Sequence, residues 1–158
     1  MVNENVRLEN VFIGRGSFRN FSGEVTENNK SGARKFTIML PADLAAMLEE
    51  TGWNVRHRPP YREGDDEQNL LDIFIGYDRM PPTVTLISYD GVKSYLNEST
   101  IGILDTTDIA DATLEIRPYN WEVNGRTGCK AYLQELIVTA KPPRRAFNAQ
   151  LHHKDDDE

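Results

Sequence analysis

The sequence holds one cysteine, Cys129, and three histidines, His57, His152 and His153. A lone thiol excludes an internal disulfide and any multi-cysteine zinc site, and it agrees with a reducing compartment. Cys129 therefore reads as a small strand residue. The histidines are too few and too scattered for a recognised metal or nucleophile constellation. No apolar run approaches the roughly 18 residues of a membrane span, and Met1-Val2-Asn3-Glu4-Asn5 lacks the basic-then-apolar order of a secretory signal. A cytoplasmic chain without membrane contact is expected. Positive charge is also in deficit, with 18 Lys and Arg against 25 Asp and Glu, a formal charge of −7. That balance speaks against a globally basic surface and leaves only a local one open.

Charge is unevenly spread. Lys141, Arg144, Arg145 and Lys154 are cancelled by Asp155, Asp156, Asp157 and Glu158, so residues 1–140 keep the whole −7. The length of 158 residues, 39% hydrophobic, suits one modest core. Pro142-Pro143 cannot continue a sheet interior, which divides the chain into a folded domain at 1–140 and a tail at 141–158 with an acidic end.

Enzyme motifs fail on inspection. Gly14-Arg15-Gly16 is followed by no helix-opening Lys-Ser or Lys-Thr, and Gly125 to Lys130 has the wrong glycine spacing for a phosphate loop. Asp65, Asp66 and Glu67, beside Glu63, lack the alternating ligands of a calcium loop and read as a solvated acidic loop. No catalytic residue, metal or cofactor is expected.

What is present is β structure. Val6 to Ile13 reads as a first strand, and Glu27 to Gly32 as a turn-rich tip. Lys35 to Leu40 reads as a strand that stops at Pro41. Pro41 suits the start of a helix over Ala42 to Glu50, with Leu44, Met47 and Leu48 on its apolar face and Gly52 closing it. Trp53 to Arg58 is extended up to Pro59-Pro60. Leu70 to Tyr77 and Thr83 to Tyr89 are strands, and Asp90-Gly91 turns the chain into Val92 to Leu96. Thr100 to Ile109 reads as a short helical turn with Thr106, Thr107 and Asp108 as capping candidates. Six to eight strands with one helix point to a mainly β, antiparallel, five-stranded OB-fold-like Greek-key barrel with inserted hairpins.

The most informative stretch is Ala112 to Ala140, two strands meeting at Asn124-Gly125, a pair that favours the positive φ values of a type I′ turn. With a two-residue turn, Val123 pairs with Arg126, Trp121 with Gly128, Tyr119 with Lys130 and Arg117 with Tyr132. Alternation then puts Leu114, Ile116 and Pro118, with Ala131, Leu133 and Ile137, on the core face. The other face collects Arg117, Tyr119, Trp121, Arg126, Lys130 and Tyr132. Rings and cations together on a solvent face fit a flat, anionic ligand.

Single-stranded nucleic acid is such a ligand, since bases stack on aromatic rings while cations track phosphates. Tyr119, Trp121 and Tyr132 are the expected stacking platforms, and Arg117, Arg126 and Lys130 the phosphate contacts. Similar mixtures recur at Phe18-Arg19-Asn20-Phe21, at Arg34-Lys35-Phe36, and at Trp53 with Arg56. Phe18, Arg19, Arg34, Lys35, Trp53 and Arg56 are thus further candidates. The acidic residues Asp155, Asp156, Asp157 and Glu158 could occupy the same basic groove in the absence of DNA. A competing reading is a β-rich assembly or interaction module whose Tyr119, Trp121 and Tyr132 face meets protein, because Tyr, Trp and Arg also populate interface hot spots.

Several motifs carry a resemblance. They are Arg19-Asn20-Phe21-Ser22-Gly23, Lys35-Phe36 through Leu40-Pro41, and Gly52-Trp53-Asn54-Val55-Arg56. Ile116-Arg117-Pro118-Tyr119-Asn120-Trp121, Lys130-Ala131-Tyr132-Leu133 and the acidic end complete the set. In these the chain resembles the single-stranded DNA-binding proteins of tailed bacteriophages. The resemblance implies an OB-fold that coats exposed strands in DNA replication and recombination without catalysis, in the host bacterial cytoplasm and often as a homodimer. It also implies an acidic tail that recruits replication or recombination proteins. Many relatives end that tail with an aromatic residue, whereas this sequence stops at Glu158, so recruitment is less secure than DNA coating.

Overall fold

The computed structural model describes residues 2–27, 29–60 and 62–143, so the expected tail beyond Pro143 lies outside the described residues. Its strands are β1 (Val6–Leu8), β2 (Phe12–Ile13), β3 (Arg19–Asn20), β4 (Arg34–Leu40), β5 (Val55–Arg58), β6 (Gln68–Ile75), β7 (Thr83–Ile87), β8 (Lys93–Leu96), β9 (Ile109–Val123) and β10 (Arg126–Ala140). Among the described residues a single α-helix, α1 (Ala42–Thr51), follows β4, and short 3-10 turns occupy Gly16–Phe18 and Ile101–Asp105. No described helix is long and apolar enough to cross a membrane.

All ten strands belong to one sheet, whose main order is β1-β9-β10-β6-β4-β2. Its two ends, β1 and β2, are successive parts of the same N-terminal stretch, separated at Asn10, where φ is 53°. Leu8 pairs with Leu114 of β9, Val11 N–H donates to the Ala112 carbonyl at 3.0 Å, and Ile13 pairs with Ile38 of β4. One bent segment therefore serves both edges and curls the sheet into an OB-fold-like barrel. The strand count exceeds six to eight because short segments such as β2 and β3 pair separately along the edge of β4.

Alternation fills the barrel. Phe36, Ile38, Leu71, Ile73, Leu114, Ile116, Ala131 and Leu133 point inward and are buried, and Phe21 stacks on Phe36 with centroids 4.7 Å apart. Burying each large side chain contributes roughly 1.5–3 kcal/mol. Trp53 also belongs to this core.

Three local expectations change. The β9–β10 register shifts between Leu133 and Glu135, and the extra residue, Gln134, reverses the alternation. Leu136 and Val138 therefore enter the core, while Ile137, expected there, stays partly exposed. On α1 the buried stripe is Ala45 and Leu48 with Leu44 at its margin. Met47 is 50% exposed, one helical step of about 100° away from Leu48. Gly52 does close the helix, at φ 112°, its N–H donating to Leu48 and Glu49 carbonyls. Around Ile101–Asp105, Thr106 and Thr107 lie at the C-terminal end and donate to the Ile103 carbonyl, while Asn97 Oδ1 accepts the N–H groups of Ser99 and Thr100 at the start.

Candidate nucleic-acid interface

The β9–β10 hairpin turns at Asn124 (φ 52°) and Gly125 (φ 78°), as a type I′ turn requires. The register follows: Val123 opposite Arg126, Trp121 opposite Gly128, Tyr119 opposite Lys130 and Arg117 opposite Tyr132. The predicted set thus shares the outer face of the barrel wall, with Leu114, Ile116, Ala131 and Leu133 behind it in the core.

Within that face the rings form a continuous cluster. Tyr119 and Tyr132 meet edge to face at 5.7 Å, and Tyr132 lies 6.0 Å from Phe74 on β6. The Arg117 guanidinium sits 5.5 Å from the Tyr132 ring, and Lys130 Nζ 4.9 Å from the Phe74 ring. Tyr119 is 52% exposed. Phe74 was not singled out from the sequence, because its role depends on β6 running parallel to β10, with Tyr132 paired to Phe74. The available signal was the alternation of Asp72 and Phe74 against buried Leu71, Ile73 and Ile75.

Trp121 stands apart from this cluster. Its indole lies across Gly128, where a Cβ would meet Cζ2 at 2.4 Å, and it borders the hairpin tip with Val123, Asn124 and Arg126. Arg117, Tyr119 and Tyr132 instead line a cleft of about 280 Å3 with Gly76, Asp78, Arg79 and Met80.

The remaining candidates divide by what their side chains already hold. Lys35 pairs with Phe74 across β4 and β6 and extends the cationic margin of the cluster. Arg56 donates to Asp72 at 2.8 Å, and the same carboxylate oxygen accepts from the Thr37 hydroxyl at 2.6 Å. Arg34 donates to the Phe21 carbonyl at 2.8 Å and lies 5.5 Å from the Tyr77 ring. Burial pushes up the pKa of the neighbouring Tyr77 hydroxyl. Phe18 packs so closely on Gly14 that a Cβ there would stand 2.6 Å away, and Arg58 covers its ring at 5.9 Å. The glycine of that bend is therefore needed for packing rather than for phosphate.

Two candidates have side chains engaged within the fold. Trp53 is 3% exposed, so no ring face is left for a base. Arg19 donates to the carbonyls of Gly14, Leu104 and Thr107 at 2.7, 3.1 and 2.7 Å, which ties the N-terminal bend to the 101–107 turn. Burial lowers its pKa, with the Arg15 charge adding to the effect.

The face also has a boundary. Beyond Arg117 and Tyr132 the next outward pair is Glu115 opposite Glu135, and Arg7 reaches Glu135 at 3.4 Å. Arg117, Arg126, Lys130 and Lys35, by contrast, form no ion pair with a described carboxylate. Cations and rings therefore occupy the turn-proximal part of the wall, and carboxylates begin where the bulge lies. No group of His, Cys, Asp and Glu that could hold a metal ion occurs among the described residues.

Comparison with known proteins gives this geometry a context. The bacteriophage Enc34 single-stranded DNA-binding protein in complex with ssDNA is similar at TM-score 0.57 and 11% identity, over 88% of this chain and 88% of that one. A second structure of the Enc34 protein gives 0.55 at 11%, covering 88% and 82%, and its C-terminal truncation 0.54 at 12%, covering 88% and 87%. No curated protein matches the chain. The family model described as "Putative phage ssDNA-binding domain" matches residues 1–147. The chain therefore belongs to the phage single-stranded DNA-binding domain family.

Proposed function

We propose that this protein coats single-stranded DNA without sequence preference in phage DNA replication and recombination, acting by binding rather than catalysis. The observation that carries the reading is the Tyr119–Tyr132–Phe74 ring cluster, flanked by Arg117 and Lys130, which form no ion pair among the described residues, on one solvent-facing wall. Every base has a π-face, so stacking is indifferent to sequence, and cations at the margin meet the phosphates that run between stacked bases. A protein with a formal charge of −7 can bind an anion through such a patch because screening confines the repulsion from distant carboxylates to about 8–10 Å.

On this reading Tyr119, Tyr132, Phe74, Arg117, Lys130 and Lys35 form the central contact, while Trp121 and Arg126 extend it to the hairpin tip. Residues 1–140 are the DNA-binding unit. In the segment 141–158, Asp155, Asp156, Asp157 and Glu158 compete for the cationic margin and engage partner proteins once DNA displaces them. A homodimer would join two such faces on one strand.

Titrating the protein with mixed-sequence oligonucleotides, followed by tryptophan fluorescence at several salt concentrations, tests the proposal. Trp121 at the edge of the face should be quenched, and log affinity should fall with log salt at a slope of about −0.7 per phosphate contact. No response to any single strand, or a response equal to that of duplex DNA, would refute it.

A further inference from the structure

The connection from β6 to β7 builds something that single-strand coating alone does not require. β10 is paired with β6 as far as Tyr132 and with β7 from Glu135 onward. Gln134 bulges at the change of partner, and residues 76–82 bridge the gap. Their first part forms one wall of the cleft whose other wall is Arg117, Tyr119 and Tyr132. Gly76 lies against the Tyr132 ring, where a Cβ would make an ordinary contact at 3.5 Å.

We infer that this cleft is a pocket for a single nucleobase turned out of the bound strand, with Met80 and Arg79 as DNA contacts. The inference rests on the single-strand reading above and assigns it a subsite. The volume of about 280 Å3 suits one base with its sugar. The walls offer what a base needs: the rings of Tyr119 and Tyr132 for its face and the apolar Met80, 50% exposed, for the opposite side. Arg117 lines the cleft, and its guanidinium offers donors for a ring nitrogen or carbonyl. The Asp78 carboxylate on the same wall offers an acceptor for an amino group, and the adjacent Arg79 offers a cation for the phosphate. Past the pocket the strand meets Glu115 and Glu135, so its path leaves the wall there over residues 79–80.

Photo-crosslinking of the full chain with 5-iodouracil oligonucleotides, with peptide mapping, tests the assignment alongside affinities of Met80→Ala and Arg79→Ala. Crosslinks are expected at Met80, Tyr119 or Tyr132. Met80→Ala should weaken binding about threefold to tenfold, and Arg79→Ala should reduce the salt slope by about 0.7. Lys93→Ala, on the β7–β8 hairpin, should change neither. If Met80→Ala and Arg79→Ala bind as the unaltered protein does while Tyr119→Ala is weakened, the pocket is overturned and the coating function stands. If the unaltered protein binds no single strand, both fall.

Discussion

The Trp121 indole covers Gly128 directly across the β9–β10 hairpin, so closely that a Cβ on Gly128 would stand 2.4 Å from Cζ2. The ring thereby covers a glycine-weakened part of the strand pair near the hairpin tip. Gly128→Ala should expel the indole, cost about 1–3 kcal/mol of stability through overpacking, and shift tryptophan emission to longer wavelength. Chemical denaturation with fluorescence detection measures both effects.

Arg19 and Lys130 separate structure from binding. Arg19→Ala removes three hydrogen bonds to main-chain carbonyls and leaves those of Gly14, Leu104 and Thr107 without that donor. A loss of about 1–3 kcal/mol of stability is expected, with the salt slope of DNA binding unchanged. Lys130→Ala removes no hydrogen bond among the described residues and only the cation–π contact with Phe74, so it should cost no more than about 1 kcal/mol of stability while lowering the slope by about 0.7. Thermal melts and salt titrations of the two variants give opposite patterns.

His57 makes stability depend on pH. Its ring is gripped by Glu49 from α1 on one side and by Glu67 and Asn69 Oδ1 on the other, at 2.9 and 2.8 Å. The Glu49 hydrogen bond, with Asn69 adding to it, raises the His57 pKa. A group with a raised folded-state pKa stabilises fully below its unfolded value of about 6.5, and that contribution disappears as pH rises through the folded value. Melting temperature should therefore fall from about pH 6 toward alkaline pH, and His57→Gln should flatten that segment of the profile.

The acidic end is tested by deletion. Removing residues 155–158 takes four carboxylates away and should tighten single-strand binding at low salt, with the advantage fading as salt rises. Equal affinity at low salt would show that the tail does not compete.

Much of the barrel could be read from local chemistry. Asn124-Gly125 set the turn, its two-residue length set the parity, and the parity placed Arg117, Tyr119, Lys130 and Tyr132 together. Gly52 and Pro41 marked the ends of α1 for equally local reasons. What could not be read depended on contacts distant in sequence. Phe74 joins the face only through a parallel pairing of β6 with β10, which no turn between them encodes. The Gln134 bulge, which sends Ile137 outward, has no glycine to announce it. Trp53 and Arg19 sit beside basic and aromatic neighbours just as the exposed candidates do. Only the packing distinguishes an indole in the core and a guanidinium spent on carbonyls from side chains left at the surface.

The most direct test is the equilibrium affinity of Tyr119→Ala for a mixed-sequence single strand, measured beside the unaltered protein at one salt concentration. Because Tyr119 is 52% exposed and its hydroxyl makes no hydrogen bond among the described residues, its truncation gives up little beyond the edge contact with Tyr132 and should lower the melting temperature only slightly. The loss of one stacking platform, worth roughly 1–3 kcal/mol, should weaken binding by about one order of magnitude. A folded Tyr119→Ala protein that binds as tightly as the unaltered one would contradict the assignment of this face to DNA.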